Sequence, residues 1–135
     1  MKIGNEFLNA KEHEKAEKTF RKALKDDSSN NVYKAQLSLS LIEQSKHSDA
    51  QQILDEILLE DSLNMGALWY SCINNFKSGE FKRSIEACEI FMRLIPEDIP
   101  QFFAANYFLG KSYKNLLLTE GISYTQTQVM LNAFK

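Results

Sequence analysis

The sequence contains few of the residues that interrupt helices: only two Pro and five Gly occur among 135 residues. A β fold with many short strands needs frequent turns rich in Gly and Pro, so this scarcity favours long helices. Cysteine is equally rare, and Cys72 and Cys88 lack the CxxC spacing of metal and redox sites. Two cysteines are too few for a disulfide framework. We therefore expect free thiols that pack as small apolar side chains, with a disulfide as the less favoured alternative.

Charge of one sign and long apolar runs are missing as well. The formal net charge is −2, from 16 basic and 18 acidic side chains, and this balance gives no general attraction to nucleic acid or anionic lipid. No segment approaches the roughly 20 apolar residues that cross a bilayer, and residues 1–6 lack the apolar core of a signal peptide. We expect a cytoplasmic protein with no nucleic-acid partner and no membrane insertion.

What the sequence does contain is an internal repeat with a period of 34 residues. Two sets of small residues recur in register: Gly4, Ser38 and Cys72, and then Ala16, Ala50 and Ser84. Apolar residues in each unit follow a helical period on both sides of a polar turn, such as residues 44–46, which indicates a helix–turn–helix hairpin. Two helices approach closely only where neither has a bulky side chain. We therefore expect the first set to meet the second, pair by pair, where the helices of each hairpin cross.

This pattern resembles the tetratricopeptide repeat, whose units are helical hairpins of 34 residues. The third unit carries the best match, in Ala67-Leu68-Trp69-Tyr70, Gly79-Glu80-Phe81, Ser84-Ile85 and Pro96. Cys72 and Asn75 depart there from the usual Gly and Tyr. The first unit matches through Ile3-Gly4, Phe7, Ala16, Phe20 and Ala23, the second is looser, and a fourth begins at Leu109-Gly110-Lys111-Ser112-Tyr113.

The resemblance implies an all-α fold, a right-handed α-solenoid of stacked helix–turn–helix hairpins with about eight helices. It implies a single domain over residues 1–135, with units at about 1–28, 29–62, 63–98 and 99–135. The pattern puts the breaks between helices near residues 11, 29, 45, 62, 79, 97 and 119. The fourth unit is displaced by 38 rather than 34 residues, so we expect its first helix, from about Pro100, to be one turn longer than its counterparts.

The resemblance also implies a function in protein binding, because the first helix of each hairpin in this family lines a concave groove. An adaptor or scaffold of this kind binds a peptide or helix of a partner protein. The groove positions of this sequence are apolar in the middle and cationic towards the fourth unit. They are Asn5, Leu8, Asn9, Leu39, Ile42, Glu43, Trp69, Ile73, Phe76, Lys77, Tyr107, Lys111 and Lys114. Aromatic anchors dominate desolvated contacts, so Trp69, Phe76 and Tyr107 are the expected hot spots.

Packing in the core is the alternative interpretation for several of these positions. It is the better one for Leu39 and Ile42, and it is about as good as ligand contact for Trp69. One binding mode of the family is excluded by the residues. The positions that match the carboxylate clamp of co-chaperones hold Met1, Asn5, Gln36, Gly66 and Tyr70. Only the asparagine agrees, and no cation remains to bind a terminal carboxylate.

Catalysis and metal binding find no support in the sequence. There is no Gly-rich phosphate loop, no HExxH and no nucleophile elbow. His13 and His47 occupy equivalent turns of adjacent hairpins, which stack about 10 Å apart, too far for the two rings to share a zinc ion. We expect no enzymatic activity, no metal and no cofactor.

A structural role is the alternative function, in a subunit or a piece of a longer solenoid. The last predicted helix is apolar on more than one face, which predicts a homo-oligomer or a longer parent chain. Its apolar residues are Ile122, Val129, Met130, Leu131, Ala133 and Phe134. Separately, residues 29–62 hold six acids and two lysines, either a second contact surface for a basic partner or a solvated face.

Overall fold

The computed structural model of the protein describes residues 10–120, which form six α-helices. No strand occurs within this range. The helices are α1 (Ala10–Asp26), α2 (Asn31–Glu43), α3 (His47–Glu60), α4 (Met65–Lys77), α5 (Phe81–Leu94) and α6 (Pro100–Glu120). The all-α fold class predicted from the sequence is confirmed for the described residues.

The helices begin and end close to the predicted breaks. The gaps between consecutive helices contain residues 29, 45, 62, 79 and 97. The helix α1 already includes residue 11 and lies at the edge of the described residues, which leave the break predicted near residue 11 untested. The helix α6 has 21 residues against 13 in α2 and in α4, so it is longer as predicted, but by about two turns rather than one. The first and last of the eight predicted helices lie outside the described residues.

The chain divides into two compact units, with the boundary between Tyr70 and Ser71, inside α4. In the first unit, α2 packs against both α1 and α3. The core of this unit includes Phe20, Leu37, Leu41, Leu54 and Ile57. In the second unit, α5 packs against α6. The core of that unit includes Cys72, Cys88, Phe91, Ala105 and Leu109.

The turn between α2 and α3 is closed by backbone hydrogen bonds that return to the end of α2. The N–H of Ser45 donates to the carbonyl of Ile42, and the N–H of Lys46 donates to the carbonyl of Leu41, both at 2.9 Å. This pair of bonds is a Schellman motif, which requires a left-handed residue directly after the C-cap of the helix. Ser45 supplies it with φ of 61°.

The turn between α4 and α5 has the same geometry, 34 positions later. The N–H of Gly79 donates to the carbonyl of Phe76 at 3.2 Å, and the N–H of Glu80 donates to the carbonyl of Asn75 at 2.8 Å. Gly79 is the left-handed residue here, with φ of 83°. Glycine adopts this conformation without the steric cost that Ser45 bears in the preceding turn.

The capping residues in front of α2 and α4 repeat with the same period. The side-chain oxygen of Asn30 accepts a hydrogen bond from the N–H of Tyr33 at 3.0 Å. The side-chain oxygen of Asn64 accepts one from the N–H of Ala67, also at 3.0 Å. Each asparagine satisfies a donor that the first turn of a helix leaves without an intrahelical partner. The 34-residue period of the sequence is therefore present in the backbone geometry as well.

Small buried residues lie where the helices of each hairpin meet. In the α4–α5 hairpin the hydroxyl of Ser84 donates to the carbonyl of Cys72 at 2.9 Å, which confirms the predicted pairing of these two residues. In the α2–α3 hairpin, Ser38 and Ala50 are both 0% exposed. The predicted partner of Ala16, Gly4, lies outside the described residues.

The expectation of free cysteines is wrong. Cys72 of α4 and Cys88 of α5 form a disulfide, with their Cα atoms 5.0 Å apart and both residues 0% exposed. The two positions lie on the facing sides of one hairpin, so the close approach that small residues permit also brings the sulfur atoms within bonding distance. The hairpin is therefore held by a covalent link in addition to packing.

We expect this disulfide to contribute about 3 kcal/mol to the stability of the folded chain, because the loop that it closes lowers the conformational entropy of the unfolded chain. A Cys72→Ala/Cys88→Ala variant should unfold at a lower urea concentration than the parent, as followed by circular dichroism. Reductant should lower the midpoint of the parent to a similar value and leave that of the variant unchanged. A parent midpoint that does not respond to reductant would contradict the assignment.

Candidate functional site

The predicted groove residues of the first unit differ in their exposure. Ile42 is 1% exposed and belongs to the core, so its assignment to the groove is wrong and the alternative interpretation is confirmed. Leu39 is half-buried on α2, and Glu43 is exposed at the end of that helix. Trp69 is half-buried on α4. Three further predicted positions, Asn5, Leu8 and Asn9, lie outside the described residues.

Two of the polar positions that correspond to a carboxylate clamp bind each other. The side chains of Gln36, on α2, and Tyr70, on α4, share a hydrogen bond. Burial of the ring raises the pKa of the Tyr70 hydroxyl, and the hydrogen bond with Gln36 opposes this effect. This bond joins two side chains of the first unit.

The second unit contains a continuous row of aromatic rings. Phe76, at the end of α4, lies between Phe81 at 6.1 Å and Phe108 of α6 at 5.0 Å, measured between ring centroids. Phe108 contacts Tyr107 at 5.8 Å, and the Lys111 ammonium lies 5.6 Å from the centroid of the Tyr107 ring. These distances are typical of favourable ring–ring and cation–π contacts. The row brings together three predicted groove residues, Phe76, Tyr107 and Lys111.

The row reaches the surface on α6. Tyr107 is 58% exposed, and Phe103, one turn before it, is 69% exposed. Leu118 is 74% exposed near the end of the helix, and Lys114 is exposed between them. With Lys111 these side chains follow the spacing i, i+4, i+8, i+11 and i+15, which places them on one face of the helix. We call Phe103, Tyr107, Lys111, Lys114 and Leu118 the α6 stripe.

The opposite face of α6 packs into the unit. Ala105, Leu109, Ser112 and Leu116 are each at most 6% exposed. Because α6 has one buried face and one exposed face, the α6 stripe is not part of the core. The sequence interpretation did not include Phe103 or Leu118. Their spacing from Tyr107 was visible, but the family motif begins only at Leu109.

The remaining predicted positions of the second unit are Ile73 and Lys77 of α4. Ile73 is half-buried and Lys77 is exposed. In the described part of the chain, no three His, Cys, Asp or Glu side chains come together as metal ligands. Across residues 10–120, no helix has the length and apolar character needed to cross a bilayer.

Titratable groups with shifted pKa values often mark active sites, but here local contacts account for them. Burial and the carboxylate of Glu89, which accepts the hydrogen bond of the hydroxyl at 2.9 Å, together raise the pKa of the Tyr113 hydroxyl to about 12. This bond joins α5 to α6 in the second unit. A cluster of charged groups lies in the first unit, around Glu17.

Glu17 of α1 accepts hydrogen bonds from three side chains. Nε of Arg21 donates to Oε2 at 2.8 Å, and the Gln44 amide and the Lys46 ammonium donate to Oε1 at 3.0 and 3.1 Å. Burial would raise the pKa of the Glu17 carboxyl, but the three donors outweigh it and lower the pKa from 4.5 to about 2. The cluster links α1 to the turn between α2 and α3, so its role is structural.

Comparison of the chain with protein-family models, with curated proteins and with solved structures finds no match. The resemblance to tetratricopeptide repeats therefore depends on the residue pattern. The turns and caps that recur 34 residues apart are the structural features that agree with it.

The Glu17 cluster predicts a specific dependence of stability on pH. Since the folded state favours the carboxylate, this stability is present above pH 4.5 and is lost as the pH falls from about 4.5 towards 2. Glu17→Gln should lower the free energy of unfolding at pH 7 by about 1 kcal/mol, a modest value because Arg21 and Lys46 are about half exposed.

Urea denaturation at pH 7 and at a series of values down to pH 2 measures this effect. The difference in the free energy of unfolding between the parent and Glu17→Gln should become smaller as the pH falls. Glu14→Gln, an exposed carboxyl on the same helix, is the matched control and should show little difference at any pH. If the free energy of unfolding of Glu17→Gln differs from that of the parent by the same amount from pH 7 to pH 2, the charge of the Glu17 carboxylate is not the cause of the difference.

Proposed function

We propose that the chain is a protein-binding adaptor or scaffold, built as a right-handed solenoid of tetratricopeptide-like hairpins. In this proposal it is a single domain of about eight helices and binds a peptide or helix of a partner protein. The repeated Schellman turns and asparagine caps support the hairpin repeat. Chains of such hairpins present long helical surfaces, and peptide binding is the common use of those surfaces.

The observation that carries the proposal is the exposure of the α6 stripe. Two aromatic side chains and a leucine on one helix face, each more than half exposed, are costly to hydrate and gain free energy when a partner covers them. The Tyr107 ring contacts Phe108 and Lys111 on the same helix. An exposed aromatic ring is the kind of residue that dominates protein interfaces.

The proposal includes no catalytic, metal-binding or cofactor-binding role. The cytoplasmic location expected from the sequence stays a prediction. A disulfide such as that between Cys72 and Cys88 is more usual in an oxidising compartment. The predicted self-association through Val129 to Phe134 concerns residues outside those described.

Binding through the α6 stripe predicts that Tyr107→Ala weakens partner capture. The intact chain would be immobilised, incubated with cell extract at several concentrations, and its bound proteins quantified by mass spectrometry. Truncation of a central aromatic anchor costs about 2 kcal/mol, or roughly 30-fold in affinity. Circular dichroism should show unchanged helicity, because the side chain lies on the exposed face.

Val32→Ala is the matched control, since Val32 is an apolar residue of α2 that is 67% exposed and lies outside the stripe. It should capture the same proteins as the parent. Equal capture by Tyr107→Ala and by the parent would place the binding surface elsewhere. Loss of helicity in Tyr107→Ala would instead assign the ring to the fold of the second unit.

A further inference from the structure

The charges of α6 distinguish one class of partner from others. Between Pro100 and Thr119 the helix contains Lys111 and Lys114 and no acidic residue, and its first carboxylate is Glu120. Both lysines belong to the α6 stripe. A partner segment that lies along the stripe therefore meets positive charge without a compensating acid on the same helix.

The order of residues along the α6 stripe gives the expected order in the partner. Phe103 and Tyr107 form an apolar part at one end, and Leu118 forms an apolar part at the other. Lys111 and Lys114 lie between them. Phe103 and Leu118 are 15 positions apart, which corresponds to about 22 Å of helix.

We propose that the α6 stripe binds an acidic segment of a partner protein, with apolar residues at both ends and Asp or Glu in the middle. This inference rests on the proposed function and specifies the partner of the same surface. A helix of about 15 residues, or an extended segment of about seven, matches the length of the stripe. The carboxylates pair with Lys111 and Lys114, while the apolar ends cover Phe103, Tyr107 and Leu118.

Lys111 is already positioned next to an aromatic residue of the α6 stripe. Its ammonium lies over the Tyr107 ring, so the positive charge and the aromatic anchor present a single combined surface.

The chain also contains an acidic helix face, since Asp49, Glu56 and Glu60 of α3 are exposed beside Leu59, which is 89% exposed. A second copy of the chain is therefore an alternative occupant that the test must separate from a partner protein.

An anionic membrane is a weaker match to the stripe. Membrane attachment through charge takes a cluster of about four to eight basic residues, and the stripe has two. The net charge of −2 would also oppose the approach of the chain to a negative surface.

Selection from a display library of random 15-residue peptides against the intact chain tests the inference. We expect enrichment of peptides with Asp or Glu between apolar residues, and no such enrichment against Tyr107→Ala. For a synthetic copy of an enriched peptide, Lys111→Gln/Lys114→Gln should raise Kd about fivefold, and more at low salt. Lys22→Gln/Lys25→Gln, on exposed positions of α1, is the matched control and should leave Kd unchanged.

Other outcomes are distinguishable. If neutral or basic peptides are enriched against the parent but not against Tyr107→Ala, the inference of an acidic partner is wrong, while the proposed function is still supported. Absence of any peptide that depends on Tyr107, together with unaffected capture of cellular proteins by Tyr107→Ala, would overturn both.

Two measurements separate the remaining occupants from an acidic partner protein. Light scattering that shows self-association of the parent, lost in Lys111→Gln/Lys114→Gln, would identify a second copy and overturn the inference. Cosedimentation with vesicles of phosphatidylcholine and phosphatidylserine, lost in the same variant, would identify a membrane and overturn it as well.

Discussion

The close approach of the two helices in each hairpin is the contact on which the rest of the structure depends. It requires small residues at facing positions, such as Ser38 and Ala50 in one hairpin and Cys72 and Ser84 in the next, all 0% exposed. Bulky side chains there would separate the helices and leave the larger apolar residues beside them without packing partners. The turns fit this close approach, because each reverses the chain over a few residues. The left-handed residues Ser45 and Gly79 provide this reversal.

The second unit shows what the same constraint makes possible. Facing positions that are small enough for close packing are also close enough for a covalent bond, and the pair of cysteines uses this proximity. On α6 the consequence is different. The most buried face of the helix takes small and aliphatic residues, while Phe103, Tyr107, Lys111, Lys114 and Leu118 lie on the other side. The proposed binding surface is therefore a product of the way this helix packs.

The hairpins could be predicted from the sequence because their determinants are local and repeated. Helical spacing, polar turns and small residues in register each indicated the breaks within a few residues. The disulfide was not the favoured prediction. The small number of cysteines argues against a disulfide framework, but it gives no information on the distance between Cys72 and Cys88. The caps Asn30 and Asn64 could have been found from their own 34-residue spacing.

Exposure was harder to predict than helix position. Ile42 and Tyr107 both fit the groove pattern of the resembled family, yet one is 1% exposed and the other 58%. Which side of a helix is covered depends on the neighbouring helices, and the angle at which they cross is a tertiary property. Phe103 was missed because it lies near the start of α6, ahead of the motif that begins at Leu109.

Overpacking the hairpin contact tests the central claim most directly. Ala50→Leu places a bulky side chain where α2 and α3 meet, whereas Gln52→Leu makes a similar change at an exposed position of α3. Urea denaturation should show that Ala50→Leu lowers the free energy of unfolding by about 1–3 kcal/mol, while Gln52→Leu stays within about 0.5 kcal/mol of the parent. Equal midpoints for the parent and Ala50→Leu would contradict the account.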